Sequence, residues 1–376
     1  MAIAATTDEA RLNTLLRAAG SPYDASALEP LLAGIAAAAP RDEGWMRLIA
    51  PAPSDELKEA LRGLYRHATE ASEGRDSGGD SGARLAALRA ELARRGLDGF
   101  LVPLADEHQG EYIPGSARRL AWLTGFSGSA GLAAVLMDKA AIFVDGRYTL
   151  QAERQVDGAL YERRHLTEEP APDWLAERLK GGERLGFDPW LHTKSQAERL
   201  RRACKQAGAE LIALPSNPLD AVWPARPPKP IAPIVPHPLD YAGKPSAEKR
   251  AEIGAALARA KADAAFLSAP DSIAWLLNVR GGDVACTPLP LSFALVFADA
   301  GLEWFVDRRK LTSDLESWLG SDIALAEPEA LGERLDALKG KTVRLDPASA
   351  PYWAFERLEQ AGAEIAEGDD PSALPK

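Results

Sequence analysis

The sequence contains little of the chemistry on which many functional sites depend. Its 376 residues include two cysteines and five histidines. Two cysteines, Cys204 and Cys286, are too few for a disulfide framework or a cysteine zinc site. The histidines have neither an HExxH motif nor a paired spacing; they are His67, His108, His165, His192 and His237. The sequence therefore predicts no metal site in this chain.

Positive charge and long apolar runs are also scarce. Lys and Arg number 44 against 55 Asp and Glu, which gives a formal net charge of −11. Such a charge repels nucleic-acid phosphates, and the only basic groupings are short arginine pairs on helices. No run approaches the roughly 18 apolar residues of a membrane span, and residues 1–12 contain no apolar segment of a signal peptide. We expect a cytoplasmic protein with no nucleic-acid partner and no membrane partner.

What the sequence does contain is an internal repeat. The paired segments are LAWLTGFSGSAG (120–131) with IAWLLNVRGGD (273–283), FVDGRY (143–148) with FVDRRK (305–310), and the helix-then-strand patterns at 84–102 and 249–268. An apolar strand pattern lies between the first two segments of each copy. The chain is long enough for two or three domains with their own cores. The repeat therefore predicts two tandem α/β units, in which Trp122 and Trp275 are equivalent core residues.

Composition divides the chain into five regions. Apolar residues recur at helical spacing in 8–19, 25–38 and 54–69. The segment EASEGRDSGGDSGA is rich in Gly, Ser and charge, which is typical of a flexible linker. Proline is so dense in the fourth region that neither a helix nor a central strand is expected there. The predicted regions are a helical extension (1–69), a flexible linker (70–83), an α/β domain (84–216), a Pro-rich connector (217–246) and a second α/β domain (247–376).

Six segments in order resemble the aminopeptidase P family of Xaa-Pro aminopeptidases, and more narrowly its three-domain cytosolic branch. They are VPLADEHQGEY (102–112), LAWLTGFSGSAG (120–131), FVDGRYTLQAERQVD (143–157), LGFDPWLHT (185–193), DSIAWLLNVRGGD (271–283) and TPLPLSFALV (287–296). The resemblance covers residues 84–376 and does not extend to residues 1–83. It implies two tandem creatinase-like, ribonuclease H-like domains, each a three-layer α/β structure with a mixed sheet.

The resemblance places catalysis outside this chain. In the family, two Asp, one His and two Glu of a C-terminal pita-bread domain hold two divalent metal ions, usually manganese. A bridging hydroxide attacks the carbonyl before proline. This chain ends at DPSALPK, close to where family members begin that domain, and the metal-binding motifs are not present. We expect no cofactor in this chain, two manganese ions in the catalytic domain, and no activity from this chain alone.

Other catalytic interpretations of the motifs are weaker. The triplet DEH at 106–108 with Glu111 looks like a ligand cluster, but adjacent residues point apart, and solvated charges are the better interpretation. Ser127 and Ser129 lie in a Gly-rich turn that has no strand-to-helix elbow and no identifiable base. The same turn lacks the Lys and Ser/Thr of a phosphate-binding loop. A ribonuclease H-like fold does not by itself supply nuclease activity.

The segment Asp271–Pro290 is the candidate substrate-channel region. Its apolar first half predicts a short buried helix, and NVRGGD predicts a polar loop that exposes one arginine. The resemblance places this loop near the mouth of the catalytic cavity, so Arg280 and Asp283 are the candidate channel residues. The alternative is that Arg280 pairs with Asp283 or caps a helix. Family members often carry histidine where this chain has Cys286.

Three functions follow from this sequence. The first is the non-catalytic N-terminal portion of an aminopeptidase P, which restricts access to proline-containing peptides and supports a homo-oligomer. The second is a stand-alone protein-binding module, because the large subunit of a eukaryotic histone chaperone retains this architecture without peptidase activity. The third is a peptidase assembled in trans with a separate pita-bread domain. In the first and third, surfaces that face the catalytic domain should form an exposed apolar patch.

Overall fold

The computed structural model describes residues 9–40, 42–73 and 80–376. The helices in these ranges are α1 Glu9–Ala18, α2 Ala25–Ala38, α3 Met46–Ile49, α4 Asp55–Glu73, α5 Ser81–Arg94, α6 Arg119–Thr124, α7 Thr149–Gln155, α8 Ala171–Arg178, α9 Lys194–Gln206, α10 Pro218–Val222, α11 Leu239–Ala242, α12 Ser246–Arg259, α13 Pro270–Leu277, α14 Ser313–Leu319, α15 Leu331–Asp336 and α16 Tyr352–Ala361. The strands are β1 Gly99–Pro103, β2 Gly131–Leu136, β3 Ala140–Val144, β4 Glu162–His165, β5 Arg184–Phe187, β6 Glu210–Ala213, β7 Val235–Pro236, β8 Ala264–Leu267, β9 Val279–Arg280, β10 Phe293–Phe297, β11 Leu302–Phe305, β12 Ile323–Ala326, β13 Thr342–Leu345 and β14 Glu364–Glu367. No helix in these ranges is both long enough and apolar enough to cross a membrane.

Two six-stranded mixed sheets have the same topology, which confirms the predicted repeat. The first sheet has the order β4-β3-β2-β1-β5-β6, and the second has the order β12-β11-β10-β8-β13-β14. Strand β2 in the first sheet and strand β10 in the second run antiparallel to both of their neighbours. The remaining neighbouring strands in each sheet pair in parallel. The helices α5 and α12 precede the equivalent strands β1 and β8, as the two sequence patterns predict.

Each sheet is covered by helices on both faces, so each α/β unit has three layers. In the first unit, one apolar cluster joins the sheet to α5, α6 and α10, and another joins it to α8 and α9. The second unit repeats this with α12–α14 on one face and α15 and α16 on the other. Strands that are buried on both faces have continuous apolar sequences, as in Ala140–Val144, where every residue is buried. Trp122 and Trp275 pack against equivalent clusters, but each is only partly buried.

The Gly-rich turn before β2 uses its glycines in two ways. Gly125 ends α6 with φ +80°, a left-handed conformation that glycine adopts without strain. At Gly128 a Cβ atom would lie 2.4 Å from the ring of Phe126, so close packing requires the absence of a side chain. The Gly-rich segment leads into strand β2, as predicted.

A helical unit precedes the two α/β units and is attached to the connector. Its helices α1, α2 and α4 share an apolar core to which Ile231 of the Pro-rich segment contributes. The backbone N–H of Ile231 donates to the carbonyl of Gly34 at 2.8 Å. Arg47 also forms an ion pair with Asp314 of the second α/β unit. The helical unit therefore packs on the rest of the molecule through residues that are distant in sequence.

The linker predicted at 70–83 is shorter than expected at both ends. Helix α4 continues to Glu73, because the residues before Gly74 are good helix formers. Helix α5 already begins at Ser81, where the side chain of Asp80 accepts a hydrogen bond from the backbone N–H of Gly82. The rest of the predicted linker, residues 74–79, lies outside the described residues, as do residues 1–8 of the predicted extension.

The expectation that the Pro-rich region 217–246 holds no helix is wrong. It contains the short helices α10 and α11, because proline in a first helical turn removes an N–H that would have had no partner there. The side chain of Asn217 caps α10 by accepting from the N–H of Leu219 at 3.0 Å. The region also forms the two-residue strand β7, which pairs with β9 and belongs to neither large sheet.

Candidate functional site

Asp283 is buried, and it connects three segments of the chain. One carboxylate oxygen, Oδ2, accepts hydrogen bonds from the Lys310 ammonium and from the backbone N–H of Leu291, each at 2.7 Å. The other oxygen accepts from the N–H of Ala232 in the connector at 3.3 Å. Asp283 is 1% exposed and Lys310 is 5% exposed. A buried carboxylate with these partners fixes the loop that carries it and is not available to a ligand.

Arg280 lies on a different side of the same loop. It belongs to β9, which pairs with β7 so that Arg280 faces Val235 in the register. Its guanidinium is partly exposed and donates to the carbonyl of Val279 at 2.8 Å. The partner of Asp283 is Lys310, so the predicted alternative of an Arg280–Asp283 pair is not formed. The pKa of the nearby His237 is lowered by burial and by the positive charges of Arg280 and Lys249.

The DEHQGEY loop joins the two α/β units. The Asp106 carboxylate accepts from the backbone N–H groups of His108 and Gly110 at 3.0 and 3.1 Å. His108 reaches across the interface, where its Nδ1 donates to the carbonyl of Ser268 at 3.0 Å and its ring stacks on Phe293. Burial raises the pKa of Asp106. The expectation of solvated charges is therefore wrong for Asp106 and His108, which are buried and have a structural role at the interface.

The LGFDPWLHT segment forms the second part of this interface. The indoles of Trp190 and Trp353 stack with their ring centres 3.9 Å apart. The backbone N–H groups of Tyr352 and Trp353 donate to the carbonyls of His192 and Pro189 at 2.7 and 2.9 Å. Direct backbone hydrogen bonds fix relative position more firmly than side-chain contacts alone, so the two units form a defined interface here.

A network of charged residues lies beside the interface. Arg119 makes a two-bond contact to the Asp220 carboxylate at 2.7 and 3.0 Å, and Arg226 contacts the same carboxylate. Burial by itself would raise the pKa of Glu107. The positive charges of Lys229 and Arg119 outweigh this effect, so the pKa lies below its usual value. Arg119, Arg226 and Asp220 are paired, which is the usual condition for charges near a protein interior.

Two cavities lie between the α/β units. One of about 380 Å³ is bounded by charged side chains that include Glu107, Lys229 and Arg309. The other, of about 280 Å³, lies between residues 106–112 and residues 284–291. Neither Arg280 nor Asp283 is among the described residues that line these cavities. The two candidate channel residues therefore do not converge on one pocket.

Metal ligands and nucleophiles are the remaining candidate groups among the described residues. Among them, no group of three or more His, Cys, Asp or Glu side chains is placed to hold a metal ion. Ser127 forms hydrogen bonds with Gln155, and the hydroxyl of Ser129 lies 2.7 Å from that of Tyr148. Neither serine has a histidine among its partners in the described part of the chain. The geometry offers these hydroxyls no general base.

Sequence reasoning missed Lys310, although the repeat contained a signal for it. Lys310 is the last residue of FVDRRK, and its counterpart in FVDGRY is Tyr148. Each of these residues contacts the Gly-rich loop of its own copy, Tyr148 through Ser129 and Lys310 through Asp283. The second copy has Lys310 where the first has a tyrosine, and it has Asp283 in its Gly-rich loop. These two differences between the copies were the signal that the lysine and the aspartate form a pair.

Sequence models of one domain family match both α/β units. The creatinase/prolidase N-terminal domain matches residues 84–218, and a second model of the creatinase/prolidase N-terminal domain matches residues 225–376. The two matches are consecutive and between them contain both six-stranded sheets. The tandem repeat is therefore a pair of domains of one type.

Curated relatives carry one activity name. A protein named "Probable Xaa-Pro aminopeptidase P" from Coccidioides posadasii (strain RMSCC 757 / Silveira) is 38% identical over 262 residues, covering 69% of this chain and 43% of that protein. Its namesake from Paracoccidioides brasiliensis (strain Pb03) is 37% identical over 262 residues, covering 69% and 42%. The chain thus spans about two fifths of the length of the curated relatives it matches.

A solved structure shares the arrangement of both units. X-prolyl aminopeptidase from Caenorhabditis elegans, described as a cytosolic enzyme with a di-nuclear active site, superposes with a TM-score of 0.72 at 25% identity. The match covers 78% of this chain and 51% of that one. By its two domains and its relatives, the chain belongs to the aminopeptidase P family of Xaa-Pro aminopeptidases and carries two creatinase-like N-terminal domains of that family.

Proposed function

We propose that this chain is the non-catalytic N-terminal portion of a Xaa-Pro aminopeptidase, a metallopeptidase that removes an N-terminal residue that precedes proline. The observation that supports this most is that both family matches are to N-terminal domains, arranged in tandem. The hydrogen-bonded interface between the two domains makes them suited to act as one rigid unit. A rigid unit can limit which peptides reach a catalytic site beside it.

The metal chemistry is proposed for a pita-bread catalytic domain, in cis or in trans, rather than for this chain. The C. elegans relative has a di-nuclear site. Within the described residues, no cluster of ligands fits a metal ion. We propose two manganese ions in the catalytic domain, which would activate the attacking water and stabilise the oxyanion. This chain's own residues would then contribute positioning and exclusion of larger substrates.

Arg280 is the proposed peptide contact, and Asp283 is proposed to position it. The guanidinium of Arg280 is partly exposed and can offer a planar pair of donors to a peptide carbonyl or carboxylate. Asp283 holds the following residues in place through Leu291 and Lys310. Exposed Val235 and Leu239 lie on and beside β7, next to Arg280, which fits a surface covered by a further domain or by a second copy in a homo-oligomer.

The first test is hydrolysis of a Xaa-Pro dipeptide by the purified chain with added manganese, beside a chelated control. We expect no turnover above background in either sample. Manganese-dependent turnover that disappears on chelation would show that the chain itself contains the metal site. A cytosolic location, as described for the C. elegans enzyme, is also proposed and is checked by fractionation.

The channel role of Arg280 is tested in the intact enzyme that contains this chain. Arg280→Gln should raise KM for Xaa-Pro peptides by about tenfold with little change in kcat, because a charge-assisted hydrogen bond is lost outside the metal site. Arg259→Gln on α12 removes the same charge from an exposed position and is the control. If Arg280→Gln and Arg259→Gln have equal kinetic constants, Arg280 has no role in the channel.

A further inference from the structure

A cavity in the first α/β unit brings together three segments from different parts of the sequence. It has a volume of about 900 Å³ and lies where β1 ends and β2 begins, against α8 and α9. Its walls include residues 109–111 of DEHQGEY, 129–131 of the Gly-rich turn and 192–193 of LGFDPWLHT. Ligands of open α/β sheets commonly bind outside the carboxyl ends of the strands, and this cavity lies at the carboxyl end of β1.

The inner surface of the cavity is largely apolar. The apolar residues that line it include Leu104, Leu132, Leu166, Pro170, Pro172, Leu200 and Ala203. A small-ligand site usually combines apolar walls with polar groups, as this cavity does, and its volume can hold a ligand of several residues. The polar groups then determine the chemistry of the ligand.

Two arginines on the cavity wall lack counter-ions. Arg199 and Arg202 lie one turn apart on α9, and both are exposed and line the cavity. Neither forms an ion pair or hydrogen bond with any residue that the structure describes. In contrast, Arg201 on the same helix donates to the hydroxyl of Tyr352 at 2.8 Å. Two free guanidinium groups one turn apart match a carboxylate, which accepts two parallel hydrogen bonds.

A buried histidine in the same wall lacks a hydrogen-bond partner on one side. His192 is 2% exposed, and its Nδ1 lies 3.0 Å from the carbonyl of Asp188, so Nδ1 donates and Nε2 keeps its lone pair. Nε2 has no partner among the residues described. Burial lowers the pKa of His192 to about 4, so the ring is neutral at pH 7. A neutral imidazole in this state can accept a hydrogen bond from an N–H donor.

The remaining charges of the wall favour a zwitterion over a simple anion. Glu111 and Asp173 also line the cavity. Carboxylates in the same cavity wall oppose ligands with several negative charges and favour one that also carries an ammonium group. A short peptide has a carboxylate, amide N–H groups, apolar side chains and an ammonium group.

We propose that this cavity binds a short peptide, whose free α-carboxylate contacts Arg199 and Arg202 and whose side chains rest on the apolar surface. The proposal rests on the proposed function, because it assigns a second peptide site to the accessory portion of a peptidase. It would provide a peptide-holding site distinct from the channel residue Arg280. Binding is measured on the purified chain, so it does not depend on whether the chain has catalytic activity.

The test uses calorimetric titration of the purified chain with the tripeptide Ala-Pro-Leu and with its C-terminal amide. We expect the free acid to bind at least about tenfold more tightly than the amide, because the amide lacks the charge-assisted pair. The double variant R199Q/R202Q should remove this difference. The control Lys205→Gln, which removes one positive charge from α9 outside the cavity, should bind the free acid within about twofold of the parent chain.

Two further readouts make the result decisive. With ¹⁵N-labelled histidine, the Nε2 resonance of His192 should shift on addition of Ala-Pro-Leu, while that of the partly exposed His165, which does not line the cavity, should not. Equal binding of the acid and the amide, binding of acetate as tight as that of the tripeptide, or no binding by a folded chain would each overturn the peptide site. Peptide hydrolysis measured in the same samples reports on the proposed function separately.

Discussion

The ammonium group of Lys249 lies 4.5 Å from the ring centre of Trp275 and donates to that residue's carbonyl at 2.9 Å. The first unit repeats this relationship, with the guanidinium of Arg84 5.1 Å from the ring centre of Trp122 and bonded to its carbonyl. In both copies a cation from the first turn of the helix that precedes the first strand, α5 or α12, therefore contacts the tryptophan of the repeated Ala-Trp sequence.

Lys249→Met should destabilise the second unit more than Arg84→Met destabilises the first. Lys249 is 2% exposed, and its ammonium also donates to the side-chain oxygen of Asn278 at 2.6 Å. Removing it leaves buried acceptors without a donor, which costs about 1–3 kcal/mol. Urea unfolding followed by tryptophan fluorescence measures both changes. A smaller loss for Lys249→Met than for Arg84→Met would contradict the prediction that the buried hydrogen bonds of Lys249 determine its larger effect.

Asp283→Ala should be among the most destabilising single changes in the second unit. The substitution leaves the Lys310 ammonium buried without its carboxylate, and breaking a buried ion pair typically costs about 3–5 kcal/mol. The double variant D283L/K310M removes both charges and should recover most of the loss. Asp336→Asn, which breaks an exposed pair with Arg357, is the control and should change the free energy of unfolding by about 1 kcal/mol or less.

Gly34→Ala should loosen the helical unit from the connector. A Cβ atom at Gly34 would lie 2.5 Å from Cδ1 and 2.6 Å from Cγ1 of Ile231, so the isoleucine must move. Limited proteolysis should then release a fragment containing α1–α4 more rapidly than in the parent chain. Gly63→Ala is the matched control, because its Cβ would meet no atom within 4 Å and alanine favours a helix interior by about 1 kcal/mol.

The same contact has a compensating variant. Ile231→Ala in the Gly34→Ala background removes the Cδ1 and Cγ1 atoms that clash. The rate of proteolysis should therefore fall relative to Gly34→Ala alone. Unchanged release of the helical fragment in Gly34→Ala would mean that Arg47 and its partner Asp314 are sufficient to hold the unit.

Protonation of His192 should destabilise the fold between about pH 6.5 and pH 4. Its folded pKa is lowered to about 4, from a usual value near 6.5. In this window the unfolded chain takes up a proton that the folded chain does not, so stability falls as pH falls, by at most about 1.4 kcal/mol per pH unit. The raised pKa values of Asp106 and Asp188 act in the opposite direction. The measurement is therefore the difference between the parent chain and His192→Gln across this window, which should decrease toward pH 4.

The secondary structure of the repeat was predictable because each segment carries a local signal. The helices α5 and α12 have apolar residues at helical spacing, and buried strands such as β3 are continuous apolar runs. Similar sequences in two copies gave the same strand order. The bounds of the linker and the short helices of the Pro-rich region were not predicted, because caps such as Asp80 and Asn217 depend on single residues.

The candidate site was only partly predictable. The sequence directed attention to Arg280 and Asp283 as a pair, but their side chains make separate contacts. The partner of Asp283 lies 27 residues further along the chain, on a turn beyond two strands. The face of α9 that carries Arg199 and Arg202 has no special sequence motif, and it lines a cavity only because residues 109–111 and 129–131 are folded against it.

The sequence by itself determined that the chain has two α/β units of one family, because hydrophobic periodicity and motif order are local properties of the chain. Tertiary structure decided which charges are paired and which are free, since this depends on contacts between residues far apart in sequence. Asp283 is buried against Lys310, and Arg199 and Arg202 line a cavity without a counter-ion in the described structure. Burial and pairing are set by three-dimensional packing, and they decide whether a charged residue supports the fold or binds a ligand.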